Sequence, residues 1–249
     1  MSLVPSLTES IAATRPQALV GATDWCSHPA DLAVARVRGT KNPDLAAIRA
    51  LEPEVVLANQ EENRELDVRR LRESGIDVWV TRIRSVDEAF ISLRRMFAAL
   101  HWAAPQWLAE AERAWAAPPP FAGLRVATMI WRDPWMAVGS QTFTGDLLAR
   151  LGLDNVLADS PERYPHVDPA ELAALRPDLI LLPDEPYPFS ADDGPEAFPA
   201  IGSALVEGRS LTWYGPSLVD APALLAGQLT GQIRRTAVGS AHDDGDQPS

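Results

Sequence analysis

The chain repeats itself. Residues 42–61, NPDLAAIRALEPEVVLANQE, return at 166–185 as HVDPAELAALRPDLILLPDE, an offset of 124 residues. An internal repeat constrains architecture more than any local propensity, because each copy must be the same supersecondary unit. Superposition sets Asp44 on Asp168, Leu51 on Leu175, Pro53 on Pro177 and Glu61 on Glu185. Each copy reads as an acidic N-cap, a short helix, a proline that ends it, and a strand. Asp44 and Asp168 can accept the free N–H groups of a first helical turn. Pro53 and Pro177 forbid helix continuation. Beyond them, Val55–Ala58 and Leu179–Leu182 are unbroken apolar runs, as expected of strands covered on both faces in a parallel sheet. The repeat therefore predicts an α/β protein of two lobes, each a mainly parallel sheet flanked by helices.

The rest of the chain fits that plan. Residues 63–74 form a charged helix stopped at Gly75, followed by a strand over 77–81. Ser85-Val86-Asp87-Glu88 is a capping-box pattern opening an amphipathic helix with Phe90, Ile91, Leu93, Met96, Phe97 and Leu100 on its apolar side. Pro105 suits the first turn of a second helix reaching about 117, and three prolines at 118–120 end it. A strand at 124–130 begins the second lobe, and a final helix spans about 217–235. The expected organisation is an N-terminal lobe (1–84), interlobe helices (85–120) that make a stiff connection, a C-terminal lobe (121–235) and a disordered tail (236–249) rich in Gly, Ser and Asp.

Composition narrows the functional classes. With 46% hydrophobic and 22% charged residues the chain has ample material for a core, and its net charge of −12 disfavours nucleic acid and anionic lipid as partners. No apolar run approaches the ~18 residues of a membrane span. The N-terminus lacks a basic region, apolar core and cleavage site. As written the chain reads as cytoplasmic, or as extracytoplasmic if its start is truncated. Cys26 is the single cysteine, so no internal disulfide forms.

Ligands of open α/β sheets collect at the carboxyl ends of the strands. The segments there are Thr23–Pro29, Asn59–Asn63, Trp131–Trp135 and Pro183–Tyr187, with Tyr164-Pro165-His166 and Trp213-Tyr214-Gly215-Pro216 further on. Each carries an aromatic ring or a carboxylate. Several rings facing one cleft suit a broad, flat, partly apolar ligand; the competing reading for any one of Trp25, Trp131, Trp135 or Trp213 is packing, and that reading wins for Trp102, Trp107 and Trp115 on the helical connectors. Glu61, Glu62, Asp133, Asp184 and Glu185 are either acid–base candidates or solvated carboxylates, and the second is the commoner case. Cys26, His28 and His166 could ligate a metal, though without a zinc-type spacing. Phosphate-binding glycine loops, the nucleophile-elbow motif and His-Glu-x-x-His are absent from the sequence.

With these residues in hand, the chain resembles the helical-backbone class of periplasmic binding proteins, which includes vitamin B12 and ferric-siderophore receptors. The likeness spans nearly all of residues 2–235: the opening Val4-Pro5-Ser6-Leu7-Thr8-Glu9, Val20-Gly21 leading to Trp25 and Pro29, Leu45 to Leu57, the interlobe helices, Gly152 to Asn155, and Tyr164-Pro165-His166-Val167 with the Leu-x-x-Leu-x-Pro that follows. The resemblance implies two lobes joined by a long interlobe helix, and a shallow rigid cleft holding a corrinoid or an iron chelate, with no intrinsic cofactor and no enzymatic activity. Its ligand-facing positions fall on Trp25 and Tyr164, which keep an aromatic, and on Thr40 and Asn59, which do not. Glu61, Trp131, Trp135 and Trp213 complete the expected binding set. The resemblance also implies a monomer that feeds an ABC permease through one exposed glutamate per lobe. Ala46 and Ala170 stand at those positions, with Asp44 and Glu171 nearby. The alternative is a cytoplasmic enzyme or chaperone of cofactor metabolism built on the same fold, since fold does not fix function.

Overall fold

The computed structural model describes residues 1–243, with side chains through Ile233. It divides into two compact units. Unit 1 is Met1–Glu112 with Trp213–Val219, and unit 2 is Arg113–Thr212 with the chain from Asp220 onward.

In unit 1 the elements are α1 (Pro5–Ala12), β1 (Gly21–Ala22), β2 (Ala35–Arg36), β3 (Arg38–Gly39), β4 (Asn42–Pro43), α2 (Leu45–Ala50), β5 (Val55–Asn59), α3 (Glu65–Glu73), β6 (Asp77–Thr81), α4 (Val86–Ala99) and α5 (Gln106–Trp115), the last running across the boundary into unit 2. β1 pairs parallel with β2, and β5 parallel with β6. The first three residues join the two pairs: Ser2 bridges in parallel to Ala22 on one side and to Leu57 on the other. Leu3 N–H donates to the Leu57 carbonyl at 2.9 Å and Leu57 N–H to that of Met1 at 2.9 Å. The sheet is thus parallel, with residues 1–3 at its centre. Met1, Leu3, Val37, Ile48, Val56 and Leu71 form a core cluster beneath it.

The repeat behaves as its residues dictate. Asp44 Oδ1 accepts the N–H groups of Ala46 and Ala47 at 3.1 and 3.0 Å, and Asp168 Oδ1 those of Ala170 and Glu171 at 2.7 and 3.3 Å. Each aspartate opens one short helix, α2 or, in unit 2, α7 (Pro169–Ala174). Ser85 caps α4 by accepting the Glu88 N–H at 3.1 Å, while the Glu88 carboxylate reaches back to the Arg84 N–H at 2.7 Å. Met96 and Phe97 on α4 are fully buried. Trp102 stacks on Phe97, Trp107 meets it edge-on and donates through its indole to Thr14 Oγ1 at 3.1 Å, and Trp115 is buried, as expected of connector rings.

Unit 2 holds β7 (Leu124–Trp131), β8 (Met136–Ala137), α6 (Phe143–Arg150), β9 (Leu153–Asn155), α7, β10 (Leu179–Pro183), β11 (Gly202–Val206), α8 (Gly208–Thr212) and α9 (Ala221–Asp243). Its sheet runs β11-β10-β7, all parallel. The first half of β7 pairs in parallel with β9, and its second half pairs antiparallel with β8. The core clusters Ala127, Met129, Leu172, Ile180, Leu182, Phe189 and Phe198. The final helix begins at Ala221, after a short 3-10 turn at Pro216–Val219, rather than at 217. Of the tail expected to be disordered, 236–243 continue α9, and 244–249 lie outside the described residues. No described helix is long and apolar enough to cross a membrane.

Candidate ligand-binding loops

In the main sheet of unit 1, β1, β2, β5 and β6 share one direction, so their carboxyl ends share one edge. β1 delivers Trp25 there, 68% exposed, which is an unusual place for an indole unless something covers it in use. The loop that carries it is clamped by Arg36, whose guanidinium donates to the carbonyls of Thr23 at 2.8 Å, Cys26 at 2.9 Å and Leu32 at 3.3 Å. Beneath the ring lies Gly39: a Cβ there would come within 3.1 Å of the indole nitrogen and 2.5 Å of Asn42 Oδ1, so the hairpin of β3 and β4 approaches the ring only because that side chain is missing. Thr40 and Lys41 form the tip of this hairpin. Thr40 is half-buried, and its carbonyl accepts from Asn63 at 3.1 Å; Lys41 donates to the Glu61 carbonyl.

Asn59, at the end of β5, is only 2% exposed. Its side-chain oxygen accepts the N–H groups of Glu61 and Glu62 at 2.8 and 3.3 Å and its amide donates to Thr81 at 3.1 Å. It builds the turn that presents Glu61 rather than facing out of it. Trp213, 6% exposed, belongs to unit 1 and packs edge-on against His28 at 5.3 Å. Of the unit 1 candidates, then, Trp25, Thr40 and Glu61 reach the strand-end surface, while Asn59 and Trp213 support it.

In unit 2, β7 ends at Trp131, 43% exposed. A register shift between β7 and β8 at Met129/Trp131 turns the strand just before it, the usual way an irregular pair re-aims a side chain. Trp131 meets Tyr187 edge-on at 5.6 Å. The Tyr187 hydroxyl donates to Asp193 at 2.7 Å, a bond that holds its proton and raises its pKa. Asp193 and Glu196 both bind the Arg132 guanidinium, which also lies over the Trp135 ring at 5.2 Å. Trp135 stacks on Phe189 at 5.8 Å and against Phe198 at 5.2 Å, so it packs the core and leaves Trp131 as the outward ring. Tyr164 sits on a loop laid against residues 137–139, where Ala137 and Gly139 donate their N–H groups to the carbonyls of Pro165 and Arg163 at 3.0 and 2.8 Å. The Arg163 guanidinium lies 5.6 Å from the Tyr164 ring.

The metal-ligand reading of Cys26, His28 and His166 finds no support. Cys26 is buried, its sulfur within 3.0 Å of Thr8 Oγ1 and 3.2 Å of Thr23 Oγ1, and burial raises its pKa. A neutral, enclosed thiol is a poor ligand. Among the described residues no group of three or more His, Cys, Asp or Glu is placed to hold a metal. Sequence reasoning missed Arg36, Asp193 and Glu196. Arg132 was within reach of it, standing between Trp131 and Asp133, but its partner Asp193 lies 61 residues away along the chain.

No family model matches the chain. A vitamin B12-binding protein of Pectobacterium carotovorum is 24% identical, over 75% of this chain and 71% of the relative. Among solved structures, a periplasmic haem-binding protein in complex with two haems superimposes with a TM-score of 0.78 at 21% identity, covering 93% of this chain and 97% of the other. The periplasmic vitamin B12 binding protein of Vibrio cholerae gives 0.75 at 19%, covering 93% and 96%. A periplasmic haem-binding protein of Pseudomonas aeruginosa gives 0.74 at 20%, covering 93% and 92%. Over nearly its whole length the chain shares the fold of these solved structures.

Proposed function

We propose that this protein is a solute-binding protein for a flat metal chelate, a corrinoid or an iron chelate, for ABC-type uptake. The observation that carries the reading is the pair of outward indoles, Trp25 and Trp131, each at the carboxyl end of a parallel strand, the loop of Trp25 clamped by Arg36 and the ring of Trp131 set against Tyr187. Aromatic faces bind planar ligands with little ordering cost because few torsions need freezing. Relatives named for vitamin B12 and haem binding support the ligand class, and their role as binding proteins rather than enzymes supports binding as the function. Thr40, Glu61 and Tyr164 complete the proposed contact set. The same kinship supports extracytoplasmic work, and the proposal takes the protein as a monomer; a permease partner would meet Asp44 and Glu171, both beside the N-termini of α2 and α7, in place of glutamates at 46 and 170. Titration of the purified protein with cobalamin, dicyanocobinamide, haemin and a ferric siderophore, followed by tryptophan fluorescence, tests the reading. A micromolar or tighter response to at least one is expected, and silence toward all four would sink it.

A further inference from the structure

We infer that Asp193 and Glu196 set the charge preference of this site by masking Arg132, so that the protein favours uncharged chelates over those bearing carboxylates. The inference rests on the ligand-binding reading above. Arg132 immediately follows the exposed Trp131 and is therefore the cation nearest that ring along the chain. A guanidinium beside an aromatic platform is a natural partner for a ligand carboxylate, through two parallel N–H donors. Here the charge of that guanidinium is already countered by carboxylates. Nη1 of Arg132 is bound by both Asp193 and Glu196, and Nε lies 3.9 Å from Asp133.

The mask is itself held in place. Asp193 accepts the Tyr187 hydroxyl at 2.7 Å, and Glu196 accepts the Gly194 N–H at 2.6 Å, which lowers the pKa of its carboxyl and favours the ionised form. Three carboxylates against one guanidinium leave the rim of Trp131 formally negative by two charges. An incoming propionate or catecholate meets net repulsion from this rim, whereas a chelate without net charge meets only the ring. The carboxylates thus act as a filter placed against the wrong ligand, as specificity often requires.

The test compares haemin, which carries two propionates, with dicyanocobinamide, which has no net charge, in the wild type, in D193N/E196Q, and in D193N/E196Q/R132Q. The amides keep the size of the carboxylates and, at 193, the acceptor for Tyr187. The wild type is expected to bind dicyanocobinamide more tightly than haemin. The double variant should gain at least about tenfold in haemin affinity relative to dicyanocobinamide, and R132Q should abolish that gain. The gain should shrink as salt is raised, which a mere loosening of the loop would not reproduce. E196Q alone, which leaves the Asp193 bridge, gives a smaller shift of the same sign and serves if the double variant melts early. Preference of the wild type for haemin, or an unchanged ratio in variants that still bind dicyanocobinamide, overturns the inference. A wild type that binds neither probe takes the ligand reading down with it, and the two failures are told apart by that control.

Discussion

Replacing Gly139 with alanine should be among the most damaging single-methyl changes in unit 2. The added Cβ would lie 2.3 Å from the Glu162 carbonyl oxygen, 2.9 Å from Pro165 Cδ and 3.1 Å from the Arg163 carbonyl oxygen. Ordinary van der Waals contact begins near 3.4 Å, so the 162–165 loop must retreat by about an ångström, and backbone cannot swing aside as a flexible side chain does. Retreat strains the bonds from Gly139 to Arg163 and from Ala137 to Pro165. Overpacking costs about 1–3 kcal/mol, and each weakened bond adds roughly 0.5–1.5 kcal/mol, for a total near 3 kcal/mol. In a chain of this size that lowers the melting temperature by roughly 6–12 °C. Gly227, in the exposed middle of α9, is the control. A Cβ there meets nothing within 4 Å, and alanine should stabilise the helix by roughly 0.5–1 kcal/mol. Differential scanning calorimetry of both variants reads out the contrast, with haemin or dicyanocobinamide titration reporting whether displaced Tyr164 weakens binding. A Gly139→Ala protein melting within a degree of wild type would refute the packing argument.

Trp25→Ala and Trp131→Ala should each weaken chelate binding by ~1–3 kcal/mol, roughly 5- to 150-fold in Kd by calorimetric titration, and full affinity in both means the ligand lies elsewhere. The Asp44 carboxyl is held below its ordinary pKa, first by the Ala47 N–H. Its cap therefore supports folding above the normal carboxylate range and is lost as the pH falls through the depressed value; Asp44→Asn, which keeps an acceptor without a titrating group, should show a shallower loss of stability below pH ~4 in acid denaturation, and an unchanged curve argues against the cap. The buried Cys26 thiol should resist a disulfide reagent such as dithionitrobenzoate in the native protein and react once guanidinium unfolds it; rapid native labelling would contradict its enclosure by Thr8 and Thr23.

The repeat was legible because its signals are local and chemical. An aspartate at an N-cap, a proline past a short helix and an unbroken apolar run each act within a few residues, and all three recur at Asp44 and Asp168 with the bonds they require. The outward Trp25 and Trp131 were legible as strand-end rings. What could not be read was which rings would turn inward. Trp135 and Trp213 sit in loops of the same composition, yet Phe189, Phe198 and His28 claim them through tertiary contacts that carry no mark in the neighbouring sequence. The same holds for Asn59, whose amide is an ordinary loop residue by type and becomes a turn-builder only because Thr81, Glu61 and Glu62 surround it. The central place of residues 1–3 in the first sheet was likewise hidden, since Ser2-Leu3-Val4 is too short a run to read as a strand.

Unit 1 is closed by a segment that arrives late. Tyr214 donates its N–H to Ser6 Oγ at 3.3 Å, Gly215 packs on the Ser6 carbonyl, Trp213 covers His28, and Leu218 is wholly buried. During synthesis the first 112 residues therefore leave the ribosome with α1 and the Trp25 loop lacking their cover, and must wait while about a hundred further residues are made, several seconds at ordinary elongation rates. A nascent chain stalled before 213 should be protease-sensitive around Ser6 and His28, and one released after 219 should not. The protein is in this sense sewn shut from its far end, and neither unit is a module that could be cut out at a single point of the chain and passed on by itself.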